Sequence, residues 1–205
     1  MDLSEANLSK VKLSGANLRG ADFSEAILKG TDLSGANLIG SDLSDTDLSG
    51  AVLSGADLVG ANLIGANLRG TNLREAILRR TDLSGVNLSR ANVSYSKTSF
   101  TSFGDVDLSS CLGLETIVHL SPSRISTSTL EQSKGQIPVE FLRGCGLSDW
   151  EIETAKLYNP ELSNQEISEL QYKIYDLRAT WSIQVFPLFI SYSHADSSFV
   201  DELGK

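Results

Sequence analysis

Residues 31–70 read TDLSGANLIGSDLSDTDLSGAVLSGADLVGANLIGANLRG, with leucine at every fifth position from Leu33 to Leu68. The register extends outward in both directions, back through Leu28, Phe23 and Leu18 to Leu3 and on through Leu73, Leu78, Leu83 and Leu88 to Val93. Thr98 interrupts it, and Phe103 and Leu108 resume it. Two residues before each centre stands something small, such as Ala16, Thr31, Ser41 or Ala56, and Asp or Asn usually lies between. A polar residue, most often Ser, follows the centre, and then very often Gly.

A period of five matches neither the helical 3.6 nor the strand period of 2. The physical solution is a turn in every step. The small residue and the leucine are two apart, so a short extended segment points both to one side, which must be the interior. The Asp or Asn between them points out. The Ser-Gly pair is the corner, where glycine tolerates backbone angles that a Cβ obstructs. Successive coils then pair their backbones about 4.8 Å apart. No single step can bury its own apolar face, so only the stack makes a core.

The pattern A(D/N)LSG, as in Ala16-Asn17-Leu18-Arg19-Gly20 and Ala36-Asn37-Leu38-Ile39-Gly40, resembles the pentapeptide-repeat family. The resemblance implies a mainly β fold: a right-handed, quadrilateral parallel β-helix with four steps per coil. It covers residues 1–110, a rod roughly 25 Å long at the strand spacing. It is specific for fold and nearly silent on function.

If four steps make a coil, Arg19, Ile39, Val59 and Arg79 form one column, a candidate interface for a protein partner or a second copy. The alternative is that Ile39 and Val59 simply suit a strand wall. Lys10, Lys29, Arg69 and Arg90 mark a second face. Ile27, Val52 and Ile77 replace the outward Asp or Asn on successive faces and form no column. Some pentapeptide-repeat proteins mimic DNA and block type II topoisomerases. Residues 1–110 hold 13 acidic and 10 basic residues, and Arg74, Arg79 and Arg80 are expected to break up the acidic columns. Duplex DNA presents about one charge per 1.7 Å without a break, so nucleic-acid mimicry is disfavoured. The repeat starts at residue 1, so a partner or further residues are expected to cover the open first coil.

The net charge of −9 and a pI near 4.7 argue against a generic nucleic-acid binder. Cys111 and Cys145 read as free thiols. No apolar run spans a membrane, and the N-terminus has no signal-peptide pattern, so a cytoplasmic location is expected. His119 and His194 belong to no metal-spacing motif, no glycine-rich phosphate loop follows a strand, and no catalytic or cofactor-binding residue is assigned. A narrow leucine-filled rod leaves no interior pocket.

Beyond the rod the signals turn helical. Tyr95, Phe100 and Phe103 are expected to seal the last coils. Helices are expected from Ser126 or Thr127 to about Lys134, from Val139 to Arg143 behind Pro138, and from the Ser148–Glu151 cap to about Leu157. Ser163 and Glu166 have capping-box spacing, and Ile167, Leu170, Ile174 and Leu177 share one face of a helix of about 15 residues. Trp150 and Trp181 read as packing residues. Residues 111–183 form a helical cap and neck.

The stretch Leu188-Phe189-Ile190-Ser191-Tyr192-Ser193-His194-Ala195-Asp196 resembles the first box of TIR (Toll/interleukin-1 receptor-like) domains. Phe189, Ile190, Ser191, Tyr192, Ser193 and Asp196 match that box, and Phe199 to Leu203 is similar to the start of the first TIR helix. Residues 184–205 then hold the opening of a truncated TIR domain, in a known bacterial arrangement. The catalytic glutamate and most of the sheet would lie beyond Lys205, so NAD enters only with an intact TIR domain. The reading is a non-catalytic interaction scaffold or self-association module of a TIR-containing signalling protein. The alternatives are the regulatory part of a full-length TIR NAD hydrolase and a DNA-mimicking topoisomerase inhibitor.

Overall fold

The structure, a computed structural model, describes residues 1–185. The TIR-like residues Phe189, Ile190, Ser191, Tyr192, Ser193 and Asp196 lie outside the described residues, as does the side chain of Trp181.

Parallel bridges join residues twenty apart, from Asp2 with Asp22 through Asp82 with Ser102. Each coil therefore holds four bridging segments separated by four turns. The backbone accounting closes in both directions. Leu3 N–H donates to the Asp22 carbonyl at 2.8 Å, and Asp22 N–H donates back to Met1 at 2.9 Å. Every centre from Phe23 to Leu68 is fully buried, a gain of about 1.5–3 kcal/mol for each such side chain. Leu3, Leu8 and Leu13 are only partly covered, because they have neighbours on one side alone. Where threonine takes the small inward position, its hydroxyl is satisfied. Thr31, Thr46, Thr71, Thr81 and Thr101 each donate to the carbonyl of a centre in the preceding coil.

The ladder does not stop at residue 110. Asn92 bridges Leu112, β1 (Lys97–Thr98) pairs with β3 (Val118–His119), and β2 (Ser102–Phe103) pairs with β4 (Arg124–Ile125), all in parallel. The offset grows from twenty to twenty-one and then twenty-two residues, so the pairing outlasts the sequence period. A 3-10 turn at Leu114–Thr116 takes up part of the extra length.

Then hydroxyls replace strands. Helix α1 (Thr127–Gln132) lies over the last coil with Ser126 as its N-cap. Ser126 Oγ, Thr129 Oγ1 and Ser133 Oγ accept from the N–H groups of Asp105, Val106 and Leu108 at 3.0–3.1 Å. Those N–H groups would otherwise be an unpaired sheet edge. Helix α2 (Val139–Gly144) brings Phe141, fully buried, edge-on to Phe103 at 5.2 Å and to His119 at 5.4 Å. Of the three rings expected to seal the rod, only Phe103 does so. Tyr95 and Phe100 sit at turns with φ of 59° and 52° and are 49% and 61% exposed. They occupy the corner position, whose side chain points outward whatever its hydrophobicity.

Helix α3 (Asp149–Lys156) opens on the expected Ser148–Glu151 capping box. Helix α4 (Asn164–Val185) runs 22 residues, longer than the apolar stripe alone indicated. Ile167, Leu170, Ile174 and Leu177 are its half-buried face, while the neighbouring positions are exposed. Arg178 stacks over Trp150 at 4.6 Å, consistent with a packing role for that ring.

Candidate interaction surface

Coil stacking sorts the outward residues into columns. The four bridging segments of each coil stack into columns, termed walls, and the four turns into columns, termed corners. At one corner Gly20 N–H donates to Ile39, Gly40 to Val59 and Gly60 to Arg79, each at 2.9 Å. The candidate interface residues Arg19, Ile39, Val59 and Arg79 are thus neighbours along the rod. Ile39 and Val59 are half-buried between the exposed Arg19 and Arg79. Arg80 joins them one position on.

The adjoining wall is acidic. Asp2, Asp22, Asp42 and Asp82 stack in one column, with Asn62 in the remaining place. Each of these aspartates accepts the N–H and hydroxyl of the serine two residues on, through one carboxylate oxygen. Those serine bonds hold the Asp2 and Asp22 carboxyls below the ordinary carboxylate range. The next corner adds Glu5, Glu25, Asp45 and Asp105, all with φ between 54° and 58°. Up to Asp105 this wall and corner contain no Lys or Arg, and the first cation on the wall is the exposed Arg124, which pairs with Ser102 at the cap end.

Arg74, Arg79 and Arg80 do not interrupt these acidic columns, contrary to the sequence expectation. Arg79 and Arg80 stand on the apolar corner, and Arg74 is on another corner, where it pairs with Glu75 at 3.1 Å and lies over Tyr95 at 4.8 Å. A near-neutral sum concealed a segregated surface. Sorting the charges by position in a twenty-residue coil reveals it.

The remaining corner is basic. Lys10 N–H donates to Lys29, Gly50 to Arg69 and Arg90 to Ser110, which brings Lys10, Lys29, Arg69 and Arg90 together as expected. Ile27, Val52 and Ile77 stand on three successive walls and make no column.

The cap holds a different kind of site. Glu153 is 8% exposed, and its Oε1 accepts from Lys156 at 2.8 Å and Lys173 at 2.9 Å. Burial pushes its carboxyl up, but the two ammonium groups outweigh that and hold it below the usual range. An open cavity of about 460 Å³ lies beside it, lined in part by Asn159, Leu162, Glu166 and Leu170. His119 shares a hydrogen bond with Thr98 through Nδ1 at 3.1 Å, its Nε2 is buried without a partner, and burial lowers its pKa. Burial pushes the thiols of Cys111 and Cys145 up to about 12, a setting for unreactive thiols. Among the described residues no group of three or more His, Cys, Asp or Glu is arranged to hold a metal ion. No helix among them is long and apolar enough to cross a membrane.

Comparison with known families agrees with the five-residue repeat. The pentapeptide repeats family matches residues 2–38, 32–70 and 56–94, with eight copies. Among solved structures, the chain is similar to HetL, a pentapeptide repeat protein involved in heterocyst differentiation regulation from the cyanobacterium Nostoc sp. strain PCC 7120. Identity is 32%, over 52% of this chain and 49% of HetL, with a TM-score of 0.41. It is also similar to a pentapeptide repeat protein of the Arabidopsis thaliana thylakoid lumen, at 35% identity over 44% of this chain and 63% of that one (TM-score 0.44). A further Nostoc PCC 7120 protein, alr5209, is 35% identical over 45% of this chain and 69% of its own (TM-score 0.20). The chain thus spans about half of HetL and under two-thirds of the Arabidopsis protein. No curated protein matches it. Through residues 2–94, the chain belongs to the pentapeptide-repeat family.

Proposed function

We propose that this protein is a non-catalytic interaction scaffold whose rod, closing as a right-handed square helix, presents fixed columns of side chains to a protein partner. The observation that supports it most is the corner where Ile39 and Val59 stack between Arg19 and Arg79. Apolar residues flanked by arginine suit a protein contact, since arginine is enriched at interfaces. A repeat rod suits the task because its spacing is set by backbone pairing. Residues 111–183 then act as cap and neck, and 184–205 as the opening of a TIR domain. That last assignment rests on the resemblance at Phe189 to Asp196, and NAD chemistry would enter only with a complete domain. A cytoplasmic location fits this reading.

The test is quantitative co-purification with the wild-type chain and with the Ile39→Asp/Val59→Asp variant, matched for folding by circular dichroism. The expected result is a partner retained by the wild type and lost by the variant. Identical partner sets would overturn the assignment of this corner.

The acidic wall favours a second reading, DNA mimicry directed at a topoisomerase. Eight carboxylates on one wall and corner, with no cation before Arg124 at the cap end, weaken the objection drawn from the near-neutral sum. Inhibition of supercoiling by the wild type, lost in Asp22→Asn/Asp42→Asn/Asp82→Asn, would support it. Absence of inhibition would remove it.

A further inference from the structure

Between the acidic and basic corners runs a wall whose outward column is Asn7, Ile27, Asp47, Asn67 and Asn87. Ile27 is 41% exposed there. One edge of this wall is negative along Glu5, Glu25 and Asp45, and the other is positive along Lys10, Lys29, Arg69 and Arg90. We propose that this wall pairs with the same wall of a second copy, the two rods lying parallel and in register. The proposal rests on reading the rod as an interaction module, but it uses a different surface from the Ile39/Val59 corner.

The direction follows from charge. A two-fold axis along the rods sets the acidic corner of each copy against the basic corner of the other. Glu5 then lies level with Lys10, and Glu25 with Lys29. Asp45 has no cation at its own level, but it lies one coil, about 4.8 Å, from the levels of Lys29 and Arg69. No cation meets a cation along either edge. Antiparallel rods would bring acidic corner to acidic corner and basic to basic, which is repulsive. Residues of the outward column meet their own copies at the axis, so Ile27 packs on Ile27. Asp47 is the one poor fit, since it also meets itself.

The size of the wall sets the strength. A face three residues wide and five coils long offers roughly 250 Å² per copy at standard strand spacings. Stable complexes bury about 800 Å² per partner. The pairing is therefore weak, salt-sensitive and effective where copies are held at high local concentration. The Ile39/Val59 corner lies on the far side of the rod and stays free.

The experiment uses the full chain with Asn87→Cys, an exposed position on the pairing wall, and a short bismaleimide cross-linker. Asn17→Cys, exposed on the opposite wall, is the control. The native thiols, pushed up to about 12, contribute little background. Cross-linked dimer is expected roughly tenfold faster from Asn87→Cys, since pairing raises the effective concentration of its thiol. High salt should abolish the difference. Lys29→Glu should slow the reaction, the swap Glu25→Lys/Lys29→Glu should restore it, and Asp47→Asn should speed it. Equal rates at the two positions, or a swap that fails to restore, would overturn the parallel pairing. Either failure leaves the co-purification result at the Ile39/Val59 corner unaffected, so the two ideas fail separately.

Discussion

Asp45 and Gly65 show how one corner is tuned. Both adopt the left-handed conformation, with φ of 54° and 71°, and they stack in adjacent coils. A Cβ on Gly65 would run into the Asp45 carboxylate. Gly65→Ala is expected to lose about 1–2 kcal/mol from backbone strain alone, and more from displacing Asp45. Chemical denaturation of Gly65→Ala, Asp45→Gly and the double variant checks this. The double variant should recover the clash but not the strain, and strict additivity would contradict the contact. Asp45→Gly by itself should stabilise by about 1 kcal/mol. A carboxylate kept where glycine is easier is consistent with a role for the charge.

At the scale of elements, the join between rod and cap is a row of hydroxyls. Thr129 accepts from Val106 and donates to the Phe103 carbonyl at 2.8 Å, while Ser133 accepts from Leu108. Thr129→Val keeps the shape and orphans a buried N–H, at an expected cost of about 1–3 kcal/mol. Hydrogen exchange should show the loss at residues 105–108 first, with the leucine stack unaffected. The second joint is Glu153 on α3, which Lys173 ties to α4 while Lys156 pairs with it from within α3. Its carboxyl is depressed in the folded state, so its contribution is full above the unfolded value of about 4.3. It is lost as pH falls through the lower folded value. Far-ultraviolet circular dichroism of thermal melts is expected to show an acid-labile cap transition that Glu153→Gln removes. An identical acid profile in that variant would show that Glu153 is not the sensor. These joints were only partly legible in the sequence. The caps at Ser126, Ser148 and Ser163 announce themselves by local spacing. The match of Ser126, Thr129 and Ser133 to a sheet edge does not, because its partners lie more than twenty residues back. Tyr95 and Phe100 misled for a related reason. Hydrophobicity suggested a plug, while their corner positions set them outward.

Across the whole molecule, the five-residue period was enough to place every leucine from Leu3 to Leu88 on the inside, since alternation within a short extended segment leaves no other arrangement. Charge was harder to read. Its pattern appears only when residues twenty apart are superposed, and composition averages it away. The account therefore depends on straight columns at coil spacing, and a spin-label distance tests that most directly. Ser9 and Ser89 share a corner column four coils apart. With both changed to cysteine and labelled, in a Cys111→Ser/Cys145→Ala background, the account predicts a narrow distribution centred at roughly 19 Å. A broad distribution, or one centred well beyond that separation, would contradict the stacked coil and every surface derived from it.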